Sequence, residues 1–196
     1  MSRQKFSCPW SALKADTFRV YGKYSSFLLI RGVIFSRTFR PIFTMRLCQM
    51  VSNSFFSITL PFFQVLHSFA VHIAGMDISW RTHIGPGFMI FHGWGLVINT
   101  KSTIGKNVTV LHGVTIGQRD QIAPDGTRTT KCPIIEDGVW IGPNAIIVGG
   151  ITIGLGSRIA GGAFVTENIP AHSVVVGNPA VIIKCNCVAD IINPVE

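Results

Sequence analysis

Acidic side chains are scarce in this sequence. Only 9 of its 196 residues are Asp or Glu, against 17 Lys and Arg; charged residues make up 13% of the chain and hydrophobic residues 47%. This composition excludes an intrinsically disordered chain and indicates an extensive apolar surface. Residues 1–76 contain one acid, Asp16, and nine basic side chains, whereas residues 77–196 contain eight of each. The net charge of +8 therefore belongs entirely to the N-terminal part.

Signals for disulfides and for secretion are also absent. The five cysteines lack the spacing of a disulfide framework, which favours a reduced, cytoplasmic protein. Cys185 and Cys187 form a close pair without a second pair to complete a metal site, so we expect no bound metal. The first 24 residues lack the compact apolar core and the small-residue cleavage site of a signal peptide.

The N-terminal part interleaves basic and apolar residues. We predict loop and a short helix for residues 1–24, which Pro9 and Gly22 interrupt. Residues 25–46 predict a helix with a Phe-rich apolar side and a cationic side formed by four arginines, namely Arg31, Arg37, Arg40 and Arg46. This distribution is typical of a helix that lies in a membrane interface.

No charged residue occurs between Leu47 and Met76. This stretch is long enough to cross a bilayer, but polar side chains such as Gln49 and His67 interrupt its apolar character. It fits interfacial helices, helices buried against the rest of the protein or a partner subunit, or a spanning helix. We favour the interfacial arrangement, because a protein interior would have to desolvate the nearby arginines. Nucleic acid is not an expected partner, since phosphate binders seldom need so much contiguous apolar surface.

A six-residue period dominates the rest of the chain. Aliphatic residues recur at every sixth position from Ile135 to Val165, and a small or branched residue follows each of them four positions later. This period suits neither a helix of 3.6 residues per turn nor a hairpin protein with turns every 8–12 residues. It predicts a mostly β solenoid of short parallel strands, with about 18 residues in each triangular coil.

The period breaks at two places. The step from Ile90 to Ile98 is eight residues, which admits two extra residues around His92-Gly93-Trp94-Gly95. Between Ile116 and Ile135, the polar, turn-rich residues 118–133 predict one external loop. Insertions in a solenoid gather on its working face, so we expect the chemistry at these two breaks.

Three segments carry a resemblance to a known family. They run from Asp77-Ile78 to His92-Gly93, from Asn107 to Gly117, and from Val176 to Ala180. Together they resemble the hexapeptide-repeat acyltransferases of the serine acetyltransferase type. Within that group, the short chain is similar to the O-acetyltransferases of colanic-acid and capsular polysaccharides. The resemblance implies a left-handed parallel β-helix.

The resemblance also gives a division of the chain. We expect residues 77–184 to form the β-helix domain. Residues 1–76 are expected to form a basic, apolar helical segment that associates with a membrane or with other subunits. Residues 185–196 are expected to form a C-terminal tail.

The resemblance further implies an acetyl-CoA-dependent O-acetyltransferase. His92 falls on the family's catalytic histidine and Asp77 on the carboxylate that orients it. The chemistry is reasonable, because an acceptor hydroxyl has too high a pKa to attack a thioester at neutral pH unless a base removes its proton. A carboxylate on the second ring nitrogen would fix the tautomer and stabilise the imidazolium.

In this family, CoA lies in a groove between neighbouring coils of a homotrimer. Main-chain groups at small residues hold it, and a basic residue lies near its phosphates. The matching positions here are Gly117, Gly142, Pro143, Gly161, Gly162 and Lys184. His112 is expected to face outward, close to the loop, either contacting the acceptor or pantetheine or having only a structural or surface role.

Two departures from the family concern the acceptor. Serine-specific members have an Asp before the catalytic histidine and an Arg-His pair before the proline that ends the loop. Here these places hold Phe91 and Lys131-Cys132, so the groups that bind an amino acid are altered. Phe91 and Trp94 offer flat apolar faces that suit a sugar ring. We expect Phe91, Trp94, His112 and Lys131 to form the acceptor site.

Together these features predict an O-acetyltransferase that acts on a sugar hydroxyl of a cell-surface polysaccharide or its lipid-linked precursor. We expect it at the inner, cytoplasmic face of the cell membrane, held by the anionic lipid surface. A serine O-acetyltransferase of cysteine biosynthesis is the alternative enzyme. A non-catalytic trimeric scaffold that displays the N-terminal helices is the alternative of another class.

Overall fold

The computed structural model describes residues 8–196, which form a group of helices followed by a parallel β-helix. The basic residues Arg3 and Lys5 lie outside the described part. The helices are α1 (Pro9–Tyr21), α2 (Ser26–Phe35), α3 (Phe39–Ser52) and α4 (Leu60–Ala74), and a 3₁₀ turn (Phe55–Thr59) precedes α4.

Two N-terminal predictions need correction. Pro9 and Gly22 bound α1 rather than interrupt it. Proline suits the first turn, where its missing N–H is not needed, and Gly22 ends the helix in the left-handed region at φ 71°. The single helix expected for residues 25–46 is two helices, separated at residues 36–38. The Arg40 side chain stabilises this break by donating to the carbonyl of Val33, 2.8 Å away.

The β-helix has three faces, here named A, B and C in the order in which the chain first visits them. Face A contains β1 (Asp77–Ile78), β4 (Val97–Ile98), β7 (Thr115–Gly117), β12 (Ile146–Val148) and β15 (Phe164–Val165). Face B contains β2 (His83–Ile84), β5 (Thr103–Ile104), β10 (Ile134–Ile135) and β13 (Thr152–Ile153). Face C contains β3 (Met89–Ile90), β6 (Thr109–Val110), β11 (Trp140–Ile141), β14 (Arg158–Ile159), β16 (Val174–Val176) and β17 (Val181–Lys184).

Pairing on these faces is parallel except between β16 and β17, which are antiparallel. The remaining strands, β8 (Arg119–Ile122) and β9 (Arg128–Lys131), form an antiparallel hairpin within the segment predicted as an external loop. The hairpin leaves the coil after β7, and the chain re-enters face B at β10.

The six-residue period fills the core as predicted. Every aliphatic residue of the series from Ile135 to Val165 is buried, and so is every small or branched residue that follows it four positions later. The second residue of a two-residue strand points inward, because neighbouring strand residues face opposite sides. Val97 pairs with Thr115, 18 positions on, whereas Asp77 pairs with Val97, 20 positions on. The first coil therefore absorbs the two extra residues before Val97.

Buried arginines join the helices to the first coil. Arg46 of α3 lies 2.9 Å from the carboxylate of Asp16 in α1, and both side chains are buried. Arg46 also donates to the carbonyls of Ile84 and Gly85, each 2.7 Å away. The expectation of a solvent-facing cationic side is therefore wrong for Arg46, since an acid and two carbonyls replace its hydration.

The C-terminal tail is ordered along the corner between faces B and C. The Cys187 amide donates to the carbonyl of His172 at 2.8 Å. Further along, Val195 donates its amide to the side chain of Asn107 at 3.0 Å, and the Asn193 side chain donates to the carbonyl of Arg19 at 3.2 Å. The tail thus returns from the last coil to the first coil and to α1.

Helix α4 has an unusual distribution of side chains. Its packed face carries His67, Ala70 and Ala74, which are buried, whereas its outer face carries large exposed apolar residues. These exposed residues are Phe62, Val65, Leu66, Phe69 and Ile73. The stretch Phe55–Ala74 is long and apolar enough to span a membrane, and His67, Ala70 and Ala74 are its only buried residues.

Candidate active site

The turns that join face C to face A stack into one column, which we call the His92 corner. It comprises residues 91–96, 111–114, 142–145 and 160–163. Backbone hydrogen bonds set the stacking: Gly113 donates to Trp94 at 2.7 Å, Asn144 to His112 at 2.9 Å, and Gly162 to Pro143 at 2.8 Å. Residues that are far apart in sequence thereby meet at one corner.

His92 protrudes from the first turn of this corner. Its backbone adopts the left-handed region at φ 65°, which non-glycine residues rarely do and which often marks functional sites. Its side chain is exposed, and its ring centroid lies 6.0 Å from that of His112 at an angle of 77°. The two-residue insertion therefore raises an accessible imidazole above the column.

Asp77 begins face A at the same corner. It is exposed and pairs with Val97, and the preceding Gly75 accepts a hydrogen bond from Gly95 at 2.8 Å. In the described part of the chain, the side chains of Asp77 and His92 are not joined by a hydrogen bond. Catalytic hydrogen bonds are often long without substrate, so Asp77 stays a candidate for orienting His92.

Arg37 was not predicted as a site residue, yet it holds the His92 turn in place. Its Nη1 donates to the carbonyl of Ala74 at 2.5 Å, and its Nη2 donates to the carbonyl of His92. The guanidinium also stacks on Trp94, 3.9 Å from the ring centroid. No sequence signal predicted this role, because the partners of Arg37 lie 37 and 55 residues away.

The two aromatic residues expected at the acceptor site differ in availability. Arg37 covers one face of Trp94, and the ring edge packs so closely on Gly75 that a Cβ there would lie 2.3 Å from it. Trp94 therefore has a packing role, and 58% of it stays exposed. Phe91 is half-buried and lines a cavity beside His92.

His112 does not face freely outward, contrary to the prediction. It is half-buried in the His92 corner, and its Nδ1 atom is buried without a hydrogen-bond partner. The turn that carries it stacks between Trp94 and Asn144, which explains the burial. A buried ring nitrogen without a partner is uncommon and makes His112 a candidate for contact with a bound substrate.

The predicted CoA-binding residues differ in their position and in how accessible their backbone is. Pro143, Gly161 and Gly162 lie in the His92 corner, and a Cβ on Gly162 would meet nothing within 4 Å, so backbone is accessible there. A Cβ on Gly142 would lie 2.6 Å from the amide of Gly161, so Gly142 is needed for coil stacking. Gly117 lies in β7 at the base of the hairpin, at the next corner.

The structure does not bring the two predicted lysines to the His92 corner. Lys131 is exposed on the hairpin, where it pairs with Arg119 and packs on Gly150. Lys184 is exposed in β17 and pairs with Val174. Val174 is the first residue of β16, so Lys184 lies at the end of the face C strands that is away from the His92 corner. Within one chain, both therefore lie outside the candidate site.

The resemblance places Cys132 where serine-specific members have the histidine of an Arg-His pair. Burial raises the pKa of its thiol above the usual value, and its sulfur donates to the Asn99 side chain at 3.5 Å. A thiol that stays protonated at neutral pH cannot act as a base. Within residues 8–196, no group of three His, Cys, Asp or Glu side chains is arranged to bind a metal ion.

A cavity of about 640 Å³ lies beside His92. Its walls come from the connection between α2 and α3, from β3, from α1 and from the C-terminal tail. Phe35, Arg37, Phe39, Phe91 and His92 are among its lining residues. His92 thus belongs to the column and also lines a cavity with apolar and polar residues.

Known proteins share this architecture and part of this sequence. Residues 132–167 match the family described as bacterial transferase hexapeptide (six repeats). Serine acetyltransferase 2 from Arabidopsis thaliana is 39% identical over 119 residues, which are 61% of this chain and 35% of that protein. The putative colanic acid biosynthesis acetyltransferase WcaB from Escherichia coli K12 is 39% identical over 106 residues, 54% of this chain and 62% of that protein.

The structural comparison extends over more of the chain. Serine acetyltransferase in complex with coenzyme A from Brucella abortus strain S19 has a TM-score of 0.70 and 31% identity, covering 91% of this chain and 69% of that one. The parallel faces and the repeat therefore fit a left-handed β-helix. The chain spans less than two thirds of the length of the curated relatives described above. This chain belongs to the hexapeptide-repeat transferase family, and the relatives that it matches are named acetyltransferases.

Proposed function

We propose that this protein is an acetyl-CoA-dependent O-acetyltransferase that acts on a sugar hydroxyl of a cell-surface polysaccharide or its lipid-linked precursor. The position of His92 is the observation that carries the proposal. It is exposed at a two-residue insertion, in one column with His112, Pro143 and Gly161, and it lines the cavity. An acyl transfer needs a base between a donor site and an acceptor site, and this arrangement supplies one.

The imidazole of His92 acts as the general base. It accepts the proton of the acceptor hydroxyl as the oxygen attacks the thioester carbonyl. A C–O bond forms, the C–S bond breaks, and the imidazolium returns the proton to the sulfur of CoA. In this proposal Asp77 turns toward His92 when substrates bind and stabilises the imidazolium.

The donor side of the site suits CoA. Acetyl-CoA supplies the activated acetyl group when it is bound. Gly161 and Gly162 are exposed, and the turns at Pro143 and Gly162 stack directly, which leaves main-chain groups accessible along the column. The matched Brucella abortus enzyme was solved in complex with coenzyme A, which supports a CoA site in this chain.

The acceptor is proposed to be a sugar because amino-acid-binding groups are missing around His92. Phe91 occupies the place of the family's Asp, and it lines the cavity. Lys131 and Cys132 occupy the place of the Arg-His pair, and Lys131 lies away from His92 in the same chain. The relative WcaB is named for colanic acid biosynthesis, which agrees with a saccharide acceptor.

Serine O-acetylation is the second candidate, because the named serine acetyltransferases are as similar in sequence as WcaB. Release of CoA in the presence of acetyl-CoA and free L-serine discriminates the two. A sugar-directed enzyme gives no release above the rate of hydrolysis, whereas a serine acetyltransferase gives stoichiometric O-acetylserine.

We also propose that the protein is peripherally bound to the inner face of the cell membrane. The outer sides of α2 and α4 expose large apolar residues, among them Phe27, Phe35 and Phe62. The packed side of α4 holds His67, whose ring bonds Thr44 at 2.9 Å and the carbonyl of Ile78 at 2.8 Å. Because one side of α4 is held against the protein, an interfacial position suits it better than a spanning one.

A homotrimer is the proposed assembly. Val97, Thr115, Ile146 and Phe164 form an in-register row on face A, directly beside the His92 corner, and three of these four side chains are apolar. A neighbouring subunit would bury this row and bring its own side chains to His92. Light scattering coupled to size exclusion measures the assembly, and a monomeric mass contradicts it.

The function is tested in cells and with the purified protein. Deleting the gene should remove a mass of one acetyl group from the cell-surface polysaccharide, and the wild-type gene should restore it. His92→Gln should fail to restore it and should lower kcat by at least about 100-fold in vitro. His83→Gln on face B is the control and should restore acetylation. Full restoration by His92→Gln would instead support the non-catalytic scaffold.

A further inference from the structure

His112 is a second imidazole beside the candidate base. Its ring centroid lies 6.0 Å from that of His92, and the two ring planes meet at 77°. The two histidines belong to successive turns of the His92 corner, which stack through the hydrogen bond from Gly113 to Trp94 at 2.7 Å. Two hydrogen bonds of about 2.8 Å to two oxygens on one carbon span a distance of this order, so a reacting carbonyl group fits between the imidazoles.

The burial of one ring nitrogen determines which edge of His112 can act. Within residues 8–196, its Nδ1 atom is buried without a hydrogen-bond partner, while the residue as a whole is half-buried. A neutral imidazole carries a single proton, and a buried N–H without an acceptor is rarer than a buried acceptor without a donor. The proton is therefore assigned to Nε2, which makes the other edge of the ring a hydrogen-bond donor.

Backbone donors near the two imidazoles are already in use. The amides of Gly93, Trp94, Gly113 and Asn144 all donate to carbonyls within the coil, at 2.7 to 2.9 Å. Acyl transfer puts negative charge on the carbonyl oxygen of the thioester, and a donor held in place beforehand stabilises that charge. These four amides could supply one only by breaking the hydrogen bonds of the coil, whereas the imidazole of His112 is a side-chain donor at the same place.

We propose that His112 is a second catalytic residue, whose Nε2–H donates to the carbonyl oxygen of the acetyl thioester. As the acceptor oxygen adds to the carbonyl carbon, an electron pair moves onto this oxygen, and the hydrogen bond from His112 strengthens. The pair returns when the C–S bond breaks, so His112 keeps its proton throughout and only His92 exchanges one. This role rests on the proposed O-acetyltransferase function and adds to it the group that stabilises the oxyanion.

Infrared spectroscopy tests the contact without any acceptor. The probe is acetyl-CoA with ¹³C at the carbonyl carbon, bound to the full-length protein and to its variants. Its carbonyl stretch should move to lower wavenumber on binding to the wild type, and His112→Leu should abolish this shift. His92→Gln should keep the shift, because His92 is assigned to the acceptor hydroxyl. A bound carbonyl without a shift, or a shift that persists in His112→Leu, would overturn the role of His112 and leave the O-acetyltransferase intact. Failure of the wild type to bind acetyl-CoA would refute the proposed function itself.

Kinetics separate a hydrogen-bond donor from a packing residue. CoA release is measured with oligosaccharide extracted from cells that lack the gene. His112→Leu should lower kcat about 100- to 1,000-fold, the usual effect of removing one oxyanion donor, with KM for acetyl-CoA unchanged. His112→Gln keeps an N–H group and should lose at most about tenfold.

The control is His172→Leu. His172 is also half-buried in a turn of the coil, but it lies at the corner between faces B and C, so its replacement should leave kcat at the wild-type value. Equal losses in the two His112 variants, or an unchanged kcat in His112→Leu, would contradict a donor at this position.

Discussion

The guanidinium of Arg37 stacks on the indole of Trp94, with 3.9 Å between the guanidinium carbon and the ring centroid. The same guanidinium donates to the carbonyls of Ala74 and His92. The connection between α2 and α3, the end of α4 and the turn that carries His92 are thus held by one side chain. The position of the candidate base depends on the helices as well as on the coil.

Removing Arg37 should reduce activity without changing donor binding. Arg37→Ala is expected to lower kcat about 10- to 100-fold, because a shift of about 1 Å in a catalytic group has effects of that size, with KM for acetyl-CoA unchanged. Arg37→Lys should recover only part of kcat, since an ammonium cannot both stack and bridge two carbonyls. Arg81→Ala is the control, because Arg81 stacks on Trp80 at 4.7 Å away from His92. An unchanged kcat in Arg37→Ala would contradict the positioning role.

Breaking the buried ion pair should destabilise the whole chain. Asp16→Asn leaves Arg46 buried without its counter-charge, and we expect a loss of about 3–5 kcal/mol in the free energy of unfolding. Asp190→Asn breaks the exposed pair with Arg158 and should cost at most about 1 kcal/mol. Urea denaturation of both variants measures the difference. Similar losses in the two variants would show that the buried pair has no special role.

His67 should make stability depend on pH. Burial lowers the pKa of its imidazole below the usual value, and the hydrogen bond to the carbonyl of Ile78 only partly opposes this effect. The folded state keeps His67 neutral while the unfolded chain takes up a proton below about pH 6.5, so stability is lost as pH falls below that value.

The comparison of two histidine variants isolates this effect. His67→Gln should flatten the dependence of the unfolding free energy on pH between about 7.5 and 5.5, around the ordinary histidine pKa. His72→Gln changes an exposed residue of the same helix and should keep the wild-type slope. Identical slopes in the two variants would exclude His67 as the source.

Membrane binding should depend on the apolar face more than on charge. Arg19 and Arg46 are buried, and Arg37 and Arg40 donate to backbone carbonyls, so four of the seven cations in residues 8–76 are already engaged within the protein. We expect binding to phosphatidylcholine vesicles that persists at high salt. Sedimentation with vesicles at low and high salt measures it, and loss of binding at high salt would favour the electrostatic arrangement.

A double substitution tests which face binds. Phe62→Ser with Phe69→Ser should weaken vesicle binding more than about tenfold, since each buried aromatic contributes about 1.5–3 kcal/mol. Ile122→Ser with Val188→Ser removes two exposed apolar side chains from the hairpin and the tail. This control should bind as the wild type does. Equal weakening of both pairs would mean that no particular face is used.

The sequence by itself determined the β-helix and the places at which its repeat is interrupted. A buried residue at every sixth position sets one inward side chain per strand, so Ile135, Ile141 and Ile147 were correctly assigned to the core. The two-residue insertion before Val97 identified the turn at which His92 protrudes. Both features are local, because in a repeat protein the spacing of the residues shows which side chains point inward and where extra residues are inserted.

Only the tertiary structure decided the surroundings of His92. The burial of Arg46 and the contacts of Arg37 join segments separated by 30 to 55 residues, and the cavity at Phe35 is lined by residues from Val20 to Ile192. The sequence pattern does not predict such contacts. An arginine is expected on the cationic surface unless it is known which carbonyl and carboxylate groups lie beside it. The coil could therefore be predicted from its repeat, whereas the helices that complete the site could not.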